Sequence, residues 1–359
     1  MKNKRLMIIL LMPIAFILTQ IAKYNINFAE FYSIKIYPVF AQSIGFVTGF
    51  FPFSIAEILL ILSVILLISY TVLTFIKSLI KKTIKLLKNY IINLGVVVSL
   101  LYFLFVLFCG MNYYRYEFTA YSGFEIKKSS KQELIQLCDD LINDANEYRK
   151  KIGSDTNGVA ALSDDNIYET SRRVQYSFNS ISNSYDVLKG NYPRPKPILF
   201  SRAMSYTQIT GVFFPFTFES NVNVDIPSYQ IPATMCHELV HMRGFMREDE
   251  ANFVSYLTCI SSGYDDFAYS GTMLALTYSM NALYLEDYHA FVQLYEKYSK
   301  DVKLDMAYTS TYWEQFQTRI AKISHNVNNT YLKANNQVDG VKSYGRMVDL
   351  LVAMQRNKQ

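Results

Sequence analysis

Cysteine, histidine and tryptophan are scarce in this 359-residue chain, which has four Cys, four His and one Trp. So few cysteines over such a length exclude a disulfide-stapled scaffold. Nine Pro, fourteen Gly and the lack of any short repeat exclude collagen-like, solenoid and low-complexity classes. Charge is also thin: 18% of residues are Asp, Glu, Lys or Arg, against 51% apolar, and the mean hydropathy is +0.09. The chain is too apolar to be disordered and slightly too apolar for an ordinary soluble enzyme. A net charge of +5 points to nucleic acid only when the cations form a face, and many here sit at the N-terminus and between residues 77 and 88, beside apolar runs. Tyr and Phe are scattered rather than interleaved with Arg, so core packing and membrane anchoring explain them, and nucleic acid is not an expected partner.

Three apolar runs stand out, at about 6–22, 55–76 and 91–109. Each approaches the ~20 residues that a ~30 Å hydrocarbon layer requires, and the last two lack the polar stripe of a buried core helix. The first follows the basic start Met1-Lys-Asn-Lys-Arg5 without a small-x-small cleavage pattern, so it reads as an uncleaved anchor. Lys77, Lys81, Lys82, Lys85 and Lys88 crowd the connection between the second and third runs, with no acidic residue among them. The positive-inside rule then places that loop and the N-terminus in the cytoplasm. Residues 1–111 are expected to be a membrane domain in the lipid bilayer, and 112–359 an extracytoplasmic domain with its own core.

In the second domain, residues 131–150 have helical periodicity behind Ser129-Ser130, a plausible cap, whereas 153–165 read as a loop. Pro193-Arg-Pro-Lys-Pro197 is extended, and residues 210–225 favour β structure, with Pro215 marking an edge strand. From Gly263 onward the pattern is mostly helical. The expected fold class is α+β: three N-terminal transmembrane helices, then a helix-rich domain with a small edge-stranded sheet.

Two of the four histidines lie in His237-Glu238-Leu239-Val240-His241, an HExxH pattern. Pro232 suits a first helical turn and Gly244 a left-handed cap, so the motif falls on a short helix that stops just after it. Positions i and i+4 share one face, so both imidazoles can reach one metal, with Glu238 beside them to hold a water. A catalytic zinc site takes a third protein ligand, and Glu248, Asp249 and Glu250 follow closely. On a second helix Glu248 and Glu250 point about 200° apart, so only one can face the metal. His289 and His325 have no ligand-spaced partner and read as ordinary histidines. Cys236 and Cys259 flank the site, yet an odd thiol count with Cys138 favours free cysteines.

HExxH followed by E-x-x-A-[D/N] on a second helix resembles the gluzincin type of zinc metallopeptidase. That resemblance implies Glu248 as third ligand, Asn252 as support for a ligating His, and Glu238 as base. The six-residue separation of His241 from Glu248 is shorter than in long-spaced gluzincins. It is similar to the metzincin spacing, whose third ligand would fall on Arg247, which cannot bind zinc. The wider chain resembles the bacterial membrane family called domain of unknown function 3810, through FPFSIAEILL, MNYYR, GVFFPFTFESNVN, CHELVHMRGFMREDEANFVSYLTC and NNTYLKANNQVDGVKSYGRMVDLL.

The expectation is therefore a membrane-anchored, zincin-like metallohydrolase carrying one Zn2+. Its zinc-bound water, activated by Glu238, would hydrolyse amide bonds of a peptide or cell-wall peptide. An oxyanion donor is needed as well, and Tyr344 is a candidate. The edge strand between Val212 and Asp225 is available to pair with extended substrate, or to serve as an ordinary core-forming edge. The alternative expectation is a non-catalytic zinc-binding sensor or assembly factor, against which the intact Glu238 argues, since a structural site needs no base.

Overall fold

The computed structural model describes residues 2–164, 166–337 and 346–358. Helices dominate it, with one three-stranded sheet. Three helical stretches, Met7–Tyr24, Ile55–Ile80 and Lys85–Phe108, are long and apolar enough to cross a membrane. Their side chains are largely exposed, as expected of surfaces that face lipid. The second and third form an antiparallel hairpin, so the start of one and the end of the other share a level. The sequence reading started the third span late, because Lys85 and Lys88 in its first turn dilute the apolar signal.

The sheet is bolted to the start of the second span. Strands β1 (Lys196–Pro197), β2 (Gly211–Phe214) and β3 (Glu219–Val222) lie in the order β1-β3-β2, with β1 parallel and β2 antiparallel to β3. The buried Glu219 carboxylate accepts the backbone N–H groups of Ile55 (3.1 Å) and Ala56 (2.7 Å), which a helix start leaves without internal partners. Lys196 neutralises Glu219 and donates to the Thr48 carbonyl (2.8 Å). Residues 210–225 form a hairpin rather than a single edge strand. Pro215 lies in its connection, where its missing N–H costs no ladder bond, and of the hairpin's two strands β2 lies at the edge and β3 in the centre of the sheet.

The helix Lys131–Lys151 begins with a capping box between Ser130 and Glu133. The segment before the second span packs on the third, with the Met12 N–H donating to Ser99 Oγ (2.9 Å) and the Tyr32 hydroxyl to the Leu107 carbonyl (2.7 Å), and it also reaches beyond it. Ala15, Ala22 and Tyr37 belong to the same buried cluster as Leu239, Phe253 and Leu351, so anchor and C-terminal region share one core. Glu30, also buried, pairs with Arg115 (3.4 Å) and accepts from the Tyr116 N–H (2.9 Å).

Candidate metal centre

The HExxH segment lies on the helix Ile231–Met242, with proline in its first turn as its fixed φ favours. The helix stops because Gly244 takes φ +86°, a conformation that costs a β-carbon-bearing residue. A Cβ there would also lie 3.2 Å from both Arg115 Nη1 and a Tyr37 ring carbon. The end is clamped from afar: the buried Tyr37 hydroxyl donates to the carbonyls of His241 (3.3 Å) and Met242 (3.1 Å). Arg115 stacks 4.0 Å over Phe245. Arg243 stacks on Phe178 (3.8 Å) and Tyr192 (4.5 Å) and donates to the Leu188 carbonyl (2.9 Å).

The sharp reversal through Gly244 sends the chain into the helix Glu248–Ile260, whose first turn carries three acids with three separate partners. Glu248 reaches His237 Nε2 at 3.2 Å and His241 Nε2 at 3.8 Å. Asp249 accepts from Arg346 (2.8 Å), and Glu250 turns away to accept the buried Phe118 N–H (2.7 Å). Between the two glutamates left open by helix phase, the structure brings Glu248 to the histidines.

Both rings are oriented from behind. His237 Nδ1 lies 2.9 Å from Asn252 Oδ1, and His241 Nδ1 lies 2.8 Å from the Phe245 carbonyl oxygen. Both partners are acceptors, so Nδ1 carries hydrogen in each ring and the Nε2 atoms, 3.0 Å apart, face each other and Glu248. One ligand atom from each of His237, His241 and Glu248 lies within 4.8 Å of the others. His237 and Glu248 are partly exposed whereas His241 is buried, so the cluster opens to solvent on one side.

Burial and charge divide the ionisable groups. Burial disfavours a charged His237, but the hydrogen bond and charge of Glu248 outweigh it and raise the ring to about 8. Burial and the neighbouring His237 push His241 down to about 4. Burial chiefly, with the Glu248 charge adding, raises Glu238 to about 8. Glu248 is lowered, its own burial being outweighed by the two imidazoles. Glu238 is held from the sheet: a Cβ on Gly211 would lie 2.4 Å from its Oε1, the Phe213 N–H bonds the carboxylate, and Ser220 donates to its backbone carbonyl (2.9 Å). Its Oε2 is buried without a hydrogen-bond partner among the described residues.

The donor set fits a divalent cation: two imidazole Nε2 atoms and a carboxylate converge, and a bound cation would take the place of the proton that His237 and Glu248 share at 3.2 Å. Tyr344 lies outside the described residues. Three contributors escaped the sequence reading. Tyr37 and Gln337, whose Oε1 accepts the Glu248 N–H at 3.4 Å, are distant in sequence, and Tyr278, 3.3 Å from the Asn252 amide nitrogen, sits in a run rich in Tyr. None carries a spacing signal. His289 and His325 lie elsewhere, and Cys236 and Cys259 meet as thiols with sulfurs 3.7 Å apart.

No curated protein and no solved structure matches the chain. Residues 32–352 match the family described as "Protein of unknown function (DUF3810)", a match that begins after the first apolar helix and covers the other two, the sheet and both helices of the cluster; the chain belongs to that family.

Proposed function

We propose that the protein is a membrane-anchored zinc metallohydrolase, a zincin-like peptidase that cleaves amide bonds of peptides or cell-wall peptides outside the cytoplasm. The convergence of His237, His241 and Glu248 within 4.8 Å, with both Nδ1 atoms already engaged, is the observation that carries this reading. These three residues would hold Zn2+, which supplies Lewis acidity to polarise a carbonyl and acidify water. Asn252 and the Phe245 carbonyl orient the imidazoles. Held ionised by the positive charge that a bound cation would add beside it, the Glu238 carboxylate would take a proton from the attacking water and return it to the leaving amine nitrogen, serving as base and then as acid. The free edge of β2 is suited to align an extended peptide beside Glu238. The lysines between residues 77 and 88 favour a cytoplasmic loop there and an extracytoplasmic C-terminal region.

Purified full-length protein is expected to carry about one zinc per chain. Glu238→Gln should retain that zinc and lose hydrolysis of a peptide library and of cell-wall fragments. Lack of any bound zinc, or unchanged turnover in the Gln variant, would overturn the proposal. A cysteine placed at Lys82 should resist an impermeant reagent applied to intact cells, and its labelling would reverse the orientation.

A further inference from the structure

The helix Arg319–Ala334 presents three distinct faces. Ala321, Ser324, Asn328 and Leu332 form the packed side. Ile320, Ile323, Val327 and Tyr331 follow a helical period as a second, exposed stripe, Ile323 at 64% and Val327 at 63% exposure. Lys322, His325 and Lys333 occupy the third side. A soluble surface helix puts its apolar stripe in the core, and this one puts it outside.

Both ends of the helix are tied to one level of the membrane hairpin. At the C-terminal end, Tyr331 packs on Phe105 in the last turn of the third span (6.2 Å between ring centroids) and bonds Tyr113 just beyond it (3.0 Å). Just before the N-terminal end, in the turn that leads into the helix, Phe316 packs on Tyr206 (5.0 Å) and Gln315 accepts from Arg202 (2.8 Å). Those two residues follow Leu199 and Phe200, whose N–H groups are held at 2.9 Å by Glu57 in the first turn of the second span. Leu199 is 83% exposed, which extends the apolar rim toward that span. A helix tethered at both ends to the same level of an antiparallel hairpin runs along that level.

We propose that Arg319–Ala334 is an interfacial helix whose stripe is immersed in the phospholipid surface where the second span begins and the third ends. The apolar surface continues from the spans through Phe105 and Tyr331, and Lys322 and Lys333 suit anionic headgroups beside it. The metal cluster is drawn to the same surface. Cys109, at the end of the third span, touches Met246 (3.7 Å), two residues before Glu248, and Gln337, just past the helix, meets the Glu248 N–H. This placement needs only the spans and is independent of whether the cluster hydrolyses anything.

The test uses the full chain in vesicles of phosphatidylcholine and phosphatidylglycerol, with single nitroxide labels at 320, 323, 327, 322 and 325. The four native cysteines are buried and out of the label's reach, and a thermal melt checks that each variant is folded. Labels at 320, 323 and 327 should collide several-fold more with oxygen than with a water-soluble nickel chelate, and those at 322 and 325 should show the opposite preference. Water-like behaviour at all five sites would overturn the proposal. So would shielding of the stripe from both reagents, the result expected if protein or a second copy covers it.

Discussion

Replacing Asn252 with Ala separates a positioning role from a packing role at the candidate metal centre. Asn252 is buried, and its Oδ1 is the partner that fixes the His237 ring. The Ala variant loses this hydrogen bond and the one its amide donates to Tyr278 (3.3 Å), which strands buried partners and costs folding about 1–3 kcal/mol. Loss of the group that orients a ligating histidine costs metal affinity about 10–100-fold, or roughly 1.4–2.7 kcal/mol. The zinc effect should therefore be of the same size as the folding effect, and a packing role alone would leave it near zero. Chelator competition on full-length protein would measure the first, and melting of the chelated protein the second. Asn252→Asp keeps an acceptor at that position and should hold zinc within a few-fold of the parent. An Ala variant with parental zinc affinity and a lowered melting temperature would refute the reasoning, because Asn252 would then act on the fold alone.

Three further outcomes are expected. Glu248→Ala should abolish tight zinc binding, whereas Glu250→Ala should keep zinc but lose about 1–3 kcal/mol of stability, since the Phe118 N–H would be stranded; the reverse ordering in metal analysis would reassign the ligand. Gly211→Ala should cut turnover with zinc retained, because its Cβ would sit 2.4 Å from Glu238 Oε1, and full activity would dissociate β2 from the base. The Arg356 hydrogen bond, then the Ser130 N–H, hold Glu133 down at about 2. A depressed carboxylate contributes stability above its unfolded pKa that is lost as pH falls through the folded one, so the melting gap between parent and Arg356→Ala should narrow as pH drops from about 4.5 toward 2; a gap independent of pH would refute the pairing.

Much of the site was legible because its signals are local. Two histidines four apart, a proline in the first turn and a glycine after the last determine a short helix, and those features lie within the 14 residues from Ile231 to Gly244. The three spans were legible from composition. Glu248 against Glu250 was not, since the linker at Gly244 and Phe245 sets the phase of the next helix and only the packed structure reveals where Glu250 goes. The hairpin at Gly211–Val222 reads as one strand in the sequence because nothing local to Pro215 distinguishes a place in the pleat from one in the connection. Contacts made across the chain left no trace in spacing: Glu219 at the start of the second span, Tyr37 at the end of the HExxH helix, and Gln337 against Glu248 each join segments with unrelated patterns.

The Tyr37 clamp has a consequence for biogenesis. Its hydroxyl meets carbonyls 204 and 205 residues later in the chain, so the two must wait through most of translation before they join, and such non-local closure is slow to form. A truncated product starting at residue 112 would retain the motif without Tyr37 or Glu30. The end of the helix that carries His237 and His241 is thereby made contingent on the first fifty residues, so the two imidazoles take their final setting only after the N-terminal segment has folded against them.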